Sequence, residues 1–282
     1  MPAPIAMDAD VYRLVSLTVA MMSRGKNRSE NGNVWRSAER PNTMESMRRW
    51  NSPDKAMLIA HVRSGGTFLC HALDSHPSIG CERGEPLHSH APWMVAVGCD
   101  HLKVLNVMHA RAGYHVAMFK ATVKQFVYVP SDYIVQNNVA LVFLERTNLL
   151  RVHVSSLINS REHPAHSYEQ DDNGRPVTIN TQGLVETWAR YETDIATTRT
   201  RVMAAARHLE LTYEQITRDQ QDGLLNSYVS DLLCDFLGVE RRRLYTETKR
   251  RNPQPLRELI ANYSDVEAAL FGTPYYRFLG DE

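Results

Sequence analysis

The sequence predicts an α/β protein, a three-layer sandwich whose central, mostly parallel sheet has helices on both faces. Three observations carry that prediction. Short apolar runs of strand length recur at 56–62, 115–121, 139–144 and 209–213. Segments with apolar residues at helical spacing stand between them. The first run also stops at paired glycines, Gly65 and Gly66, beyond which helical spacing begins at once. Strands that alternate with helices pair in parallel through crossovers, and the crossovers cover both faces of the sheet.

Residues 1–54 read as a peripheral arm. A short helix is expected over 10–22, followed at 23–44 by a stretch rich in Arg, Asn, Ser and Glu that cannot bury much apolar surface. Residues 55–282 read as one domain. Its first strand, AMLIAHV, is continuous in apolar character apart from His61, which suits a buried strand. Phe68, Leu69, Ala72 and Leu73 then recur on one helical face. After the third strand, Leu149, Val152 and Leu157 mark another helix. The polar segment 159–182 contains Asp171-Asp172-Asn173-Gly174, a turn signal, and is expected to form part of a lid over the acceptor side. Helices are expected again over 184–208, 227–237 and 266–271.

Composition narrows the function. The 282 residues are 43% hydrophobic and 23% charged, as in an ordinary globular chain. Lys plus Arg number 32 and Asp plus Glu number 32, so the basic excess of a nucleic-acid binder is missing and any anion site must be built locally. Cys70, Cys81, Cys99 and Cys234 form no C-x-x-C pair, and they read as free thiols in a reducing compartment. No metal-ligand spacing occurs, so a metal-free protein is expected. Asp8, Asp10 and Arg13 interrupt the N-terminal apolar stretch, and no window is long enough to span a bilayer. The expected location is cytoplasmic, without a membrane or nucleic-acid partner; an oligomeric state is not legible.

Two segments carry chemistry. In Arg63-Ser64-Gly65-Gly66-Thr67, a strand ends in a glycine turn and restarts as a helix, which aims backbone N–H groups and the positive helix end at one point. Ser64 and Thr67 can add hydroxyl donors and Arg63 a fixed cation. The same double glycine could simply turn the chain. It is not a Walker A loop, because no Lys follows the glycines. In the second segment, Arg146 follows a strand and Ser155 lies on the next helix. They could converge on one phosphate through a planar fork and a short hydroxyl. As an isolated pair they read better as a surface Arg and a solvent-facing Ser.

Residues 62–79, VRSGGTFLCHALDSHPSI, resemble the 5′-phosphosulfate loop of sulfotransferases that use 3′-phosphoadenosine 5′-phosphosulfate (PAPS). The resemblance is closest to the branch of tyrosylprotein and bacterial carbohydrate sulfotransferases. Val62 stands where that family has proline, and Gly66 where it has a hydroxyl residue. The run from Arg146 through Asn148 and Leu150 to Ser155 is similar to the family's 3′-phosphate site, with Ser156 the alternative in a shifted register. Leu211-Thr212-Tyr213-Glu214-Gln215-Ile216 resembles the segment whose tyrosine lies near the adenine, and Lys249, Arg250 and Arg251 resemble its closing phosphate loop.

The resemblance implies the P-loop-like sulfotransferase fold, with PAPS as donor, 3′-phosphoadenosine 5′-phosphate (PAP) as product and no metal. Arg63, Ser64, Gly65, Gly66, Thr67 and Phe68 would hold the 5′ end, and Arg63 would stabilise the leaving phosphate. Glu85, in a Gly-Glu-Pro context, would be the base for an acceptor hydroxyl, ahead of Glu82, His88 and His90. Apart from the resemblance, Lys120 ends a strand on the expected active edge of the sheet, where it could meet the sulfuryl group or the acceptor or be a simple strand-end Lys. The acceptor class favoured is a glycan or small molecule. The alternatives are a kinase-like nucleotide-dependent transferase and a catalytically inactive nucleotide-binding module.

Overall fold

The computed structural model describes residues 54–111, 113–162, 175–220, 222–248 and 252–280. The expected arm up to residue 53, its helix at 10–22 and the 163–174 portion of the expected lid lie outside the described residues.

Five strands form one sheet: β1 Lys55–Ala60, β2 Ile79–Glu82, β3 Val116–Thr122, β4 Ala140–Glu145 and β5 His208–Thr212. Their order is β2-β3-β1-β4-β5, and every neighbouring pair is parallel. In chain order the helices are α1 Gly66–Asp74, α2 Pro92–Ala96, α3 His101–His109, α4 Val123–Phe126, α5 Ser131–Gln136 and α6 Leu149–Glu162. They continue with α7 Leu184–Met203, α8 Tyr213–Thr217, α9 Ser227–Leu237, α10 Leu256–Leu259 and α11 Tyr263–Leu270, and a 3₁₀ turn follows at Pro274–Leu279.

The central strands read as unbroken apolar runs because both of their faces are covered. On one face Met57, Ile59, Phe119, Leu141 and Phe143 pack with residues of α6 and α7. On the other, Ala56, Leu58, Met118, Val142 and Leu144 pack with α1 and α9. This is the predicted three-layer α/β arrangement. Among the described residues no helix is long and apolar enough to cross a membrane.

Several details differ from the sequence expectation, each for a local reason. Strand β2 was not anticipated: it has four residues, includes Gly80, and pairs only with β3 at the sheet edge. The first strand stops at Ala60, ahead of a left-handed residue at Arg63 (φ 59°). Tyr213 opens a helix instead of closing a strand. The hydroxyl of Thr212 accepts from Gln215 N–H while the Gln215 side chain accepts from Thr212 N–H, and this capping box starts α8 one residue earlier than expected. The helix expected over 184–208 ends at Met203, and α3 and α5 were not foreseen.

One topological fact positions the site. Neighbouring strands β1 and β4 send their following helices to opposite faces, α1 to one and α6 to the other. The two connections diverge and leave a crevice beyond the carboxyl ends of these strands.

Candidate active site

The turn after β1 is shaped by its backbone. Arg63 (φ 59°) and Gly65 (φ 84°) are left-handed on either side of Ser64, an alternation that turns successive amides toward one point. The ladder of α1 begins with Leu69 N donating to Gly65 O at 2.9 Å. The amides of Gly65, Gly66, Thr67 and Phe68 therefore precede the ladder at the positive end of the helix. Both glycines are required by contact. A Cβ on Gly65 would stand 2.7 Å from Tyr213 Cδ2, and one on Gly66 would stand 2.7 Å from Ala60 Cβ and 3.1 Å from Lys120 Cδ. The stem of Lys120 thus lies where a side chain at position 66 would go.

Ser64 does not serve as the expected phosphate donor. It is fully buried, and its hydroxyl donates inward to His61 O at 2.6 Å, with Leu144 O at 3.2 Å as a second acceptor. Its role is to fasten the turn to the ends of β1 and β4.

The turn after β4 works through side chains. Arg146 is buried with its guanidinium 4.3 Å from the centre of the Tyr213 ring and its Nε 3.9 Å from Glu214 Oε1. The Glu214 carboxylate also accepts from Thr147 N–H at 3.3 Å. Asn148 caps α6: its Oδ1 accepts from Arg151 N at 2.9 Å, and its Nδ2 donates to Phe278 O at 3.1 Å. Farther along α6, Ser155 Oγ accepts from Arg63 Nε at 2.9 Å, and Asn159 Oδ1 accepts from Arg63 Nη1 at 3.3 Å. Ser156 lies on another face of the helix and donates back to Val152 O at 2.9 Å, so Ser155 is the serine that meets Arg63.

A third group comes from the loop after β2 and the end of β3. Lys120, 7% exposed, places Nζ 3.1 Å from Glu85 Oε1 and donates to Thr67 Oγ1 at 3.1 Å. Gln125 Nε2 donates to Glu85 Oε2 at 3.0 Å. The other base candidates lie elsewhere. Glu82 ends β2 and pairs with Arg111 at 3.3 Å. His88 and His90 are exposed; His88 Nδ1 accepts from His90 N–H at 3.3 Å, and neither ring reaches the crevice.

All three groups open onto one cavity of about 550 Å³. Arg63 and Arg146 both line it, as do Glu85, Lys120, Ser155 and Tyr213. Gly65, Gly66, Thr67 and Phe68 complete the loop side. Thr217 and Gln220 extend the wall beyond Tyr213. Lys249, Arg250 and Arg251 lie outside the described residues, although Thr248 and Asn252, which bracket them, line the cavity.

Among the cavity residues that the sequence reading missed, two are titratable. Arg151, 4% exposed, donates through Nη1 to Gln254 O at 2.7 Å, which ties α6 to the chain segment before α10. His61 forms the floor, its ring edge-on to Tyr191 at 5.0 Å. Burial pushes its imidazole below the ordinary histidine range, against the opposing effects of its bond to Val62 O and the charge of Asp194, so it is a neutral wall near pH 7. Among the described residues lining the cavity, four cations face the single carboxylate of Glu85. Glu214, 3.9 Å from Arg146 Nε, is a second carboxylate beside these cations.

No family model matches the chain, and no curated protein matches it. Among solved structures, a sulfotransferase from Alicyclobacillus acidocaldarius is similar, with 14% identity over 80% of this chain and 98% of that one and a TM-score of 0.47.

Proposed function

We propose that this protein is a PAPS-dependent sulfotransferase that transfers the sulfuryl group to a hydroxyl of a glycan or small molecule. The observation that carries the reading is the opening of Arg63 and Arg146, from turns 83 residues apart, onto one cavity that also holds the Glu85–Lys120 pair. A bisphosphorylated adenosine has two anionic ends, and the crevice offers a holder for each.

In this reading the leading amides of α1 receive the 5′ end, with Thr67 beside them. Arg146 grips the 3′-phosphate, Ser155 stays with Arg63 on the 5′ side, and Tyr213, packed under Arg146, offers a flat face near the adenine. Lys249, Arg250 and Arg251 cover the phosphates. Bound PAPS supplies an activated sulfuryl group. Glu85 takes the acceptor proton, while Lys120 and Arg63 offset the negative charge that builds on the sulfuryl and leaving oxygens. Residues 55–282 act as one catalytic domain, with residues 1–54 as an arm, in a cytoplasmic protein.

A kinase-like reading has less support. It needs carboxylates free to hold Mg²⁺ beside the phosphates, and the carboxylate on the described cavity wall is engaged by Lys120 and Gln125.

Calorimetry with PAP, compared with ATP and Mg²⁺, tests the assignment. PAP is expected to bind at least about tenfold more tightly, equivalent to about 1.4 kcal/mol; equal or preferential ATP binding overturns the reading. With radiolabelled PAPS and a panel of hydroxylated acceptors, Glu85→Gln is expected to lower transfer by about 10²–10⁴-fold without weakening PAP binding. Undiminished transfer removes Glu85 from the base role, and PAP binding with no transfer to any acceptor identifies an inactive module.

A further inference from the structure

The residue that positions the proposed base is not part of either anion turn. Glu85 sits in a loop between β2 and α2, where neither a ladder nor a helix fixes its side chain, and about a third of that side chain is exposed. Its two oxygens are held separately, Oε1 by Lys120 and Oε2 by Gln125. Gln125 is 7% exposed and is itself locked. It is the third residue of α4, where its N–H donates to Thr122 Oγ1 at 3.3 Å and its Oε1 accepts from Thr122 N–H at 2.9 Å. Because that capping box occupies the amide oxygen, the amide NH₂ must face outward, toward Glu85.

We propose that Gln125 is a positioning residue for Glu85, with the start of α4 serving as a mount that aims a neutral donor at one carboxylate oxygen. This rests on the reading of Glu85 as the base. The bond from Gln125 holds one carboxylate oxygen while the side chain lines the cavity. Among the described residues bonded or ion-paired to the Glu85 carboxylate, Lys120 of β3 is the charged one and Gln125 of α4 is neutral, while His88 of the same loop bonds only the Glu85 main-chain oxygen. Thr67 of α1, reached through Lys120, is neutral as well.

Gln125→Glu in the full chain separates positioning from mere helix capping. A Glu at this position keeps the capping box, since its carboxylate accepts from Thr122 N–H as the amide does. The melting temperature should therefore stay close to that of the parent. The new carboxylate, however, faces Glu85, and two adjacent carboxylates resist joint ionisation. Titration of the ¹³C-labelled Glu85 carboxyl by NMR, assigned by its loss in Glu85→Gln, is expected to shift its midpoint upward by about one pH unit or more. The acid limb of the pH profile for PAP release from PAPS, with water as acceptor, should move upward by the same amount, with KM for PAPS unchanged. Gln125→Met, which removes the amide and the cap together, should lower both stability and turnover, and Gln125→Glu should recover the stability alone.

An unmoved Glu85 titration in Gln125→Glu overturns the proposal whatever the rates do. A moved titration with an unmoved pH–rate profile sustains Gln125 as the positioner and instead refutes Glu85 as the base.

Discussion

The turn after β1 faces the cavity mainly with backbone. Its left-handed residues and the leading amides of α1 face the cavity with N–H groups, and its most conspicuous hydroxyl, Ser64, points inward. The turn after β4 faces the same cavity with side chains: a buried Arg stacked on Tyr213, a capping Asn and a serine on α6. A backbone holder tolerates side-chain exchange provided the main chain keeps its path, so it fails through added bulk. A side-chain holder is rigid only while its own supports survive, so it fails through truncation. The two halves should therefore break under opposite kinds of substitution.

The largest effect is expected from truncation in the second turn. Arg146→Ala removes a buried guanidinium together with its stack on Tyr213. PAP affinity should fall about 100-fold or more, on the order of 3 kcal/mol for charge-assisted bonds lost in a desolvated site. Calorimetry with PAP measures this, and a loss under about threefold would mean that the second turn does not hold the ligand.

An intermediate effect is expected from bulk in the first turn. Gly66→Ser supplies the hydroxyl found in the loop that residues 62–79 resemble, yet its Cβ would collide with Ala60 Cβ and crowd the Lys120 stem. Overpacking of this kind costs about 1–3 kcal/mol, so thermal denaturation should show a lower melting temperature and calorimetry a weaker affinity for PAP. Tighter PAP binding would show that position 66 is simply a lost phosphate donor.

The smallest effect on ligand belongs to Ser64→Ala. Loss of its inward hydrogen bonds should lower stability by about 1 kcal/mol, while PAP affinity stays within about twofold. A tenfold loss of affinity at unchanged stability would return Ser64 to the binding surface.

The architecture was legible because burial on both faces leaves a plain mark. The runs around Met57, Phe119 and Phe143 are too apolar and too short for anything but central strands. Strand β2 was not, since an edge strand of four residues with Gly80 in it carries little pattern. At the cavity, Arg63 and Arg146 were expected because each follows a strand end, and Ser155 because it lies on the next helix. Direction was the hidden quantity. The acceptors of Ser64 include a carbonyl 80 residues away, Leu144 O, which no local pattern announces. Arg151 sits on α6 five residues beyond Arg146, and only the packing of that helix shows that it reaches the cavity. His88 is close to Glu85 in sequence but faces solvent, because the loop turns there: His88 N donates to Glu85 O at 2.9 Å. Gln125 escaped notice since an amide in a short helix has no distinguishing spacing.

The inward bonds of Ser64 have one more consequence. The same carbonyl, Leu144 O, accepts from His61 N–H and lies within reach of the Ser64 hydroxyl, so the bases of the two turns are riveted at a common point. Holders joined in this way cannot spread or close independently to suit a ligand. On the proposed reading, the crevice acts as a caliper: it selects nucleotides by the span between their anionic groups, and a triphosphate, with its charge strung along a single tail, can satisfy only one jaw.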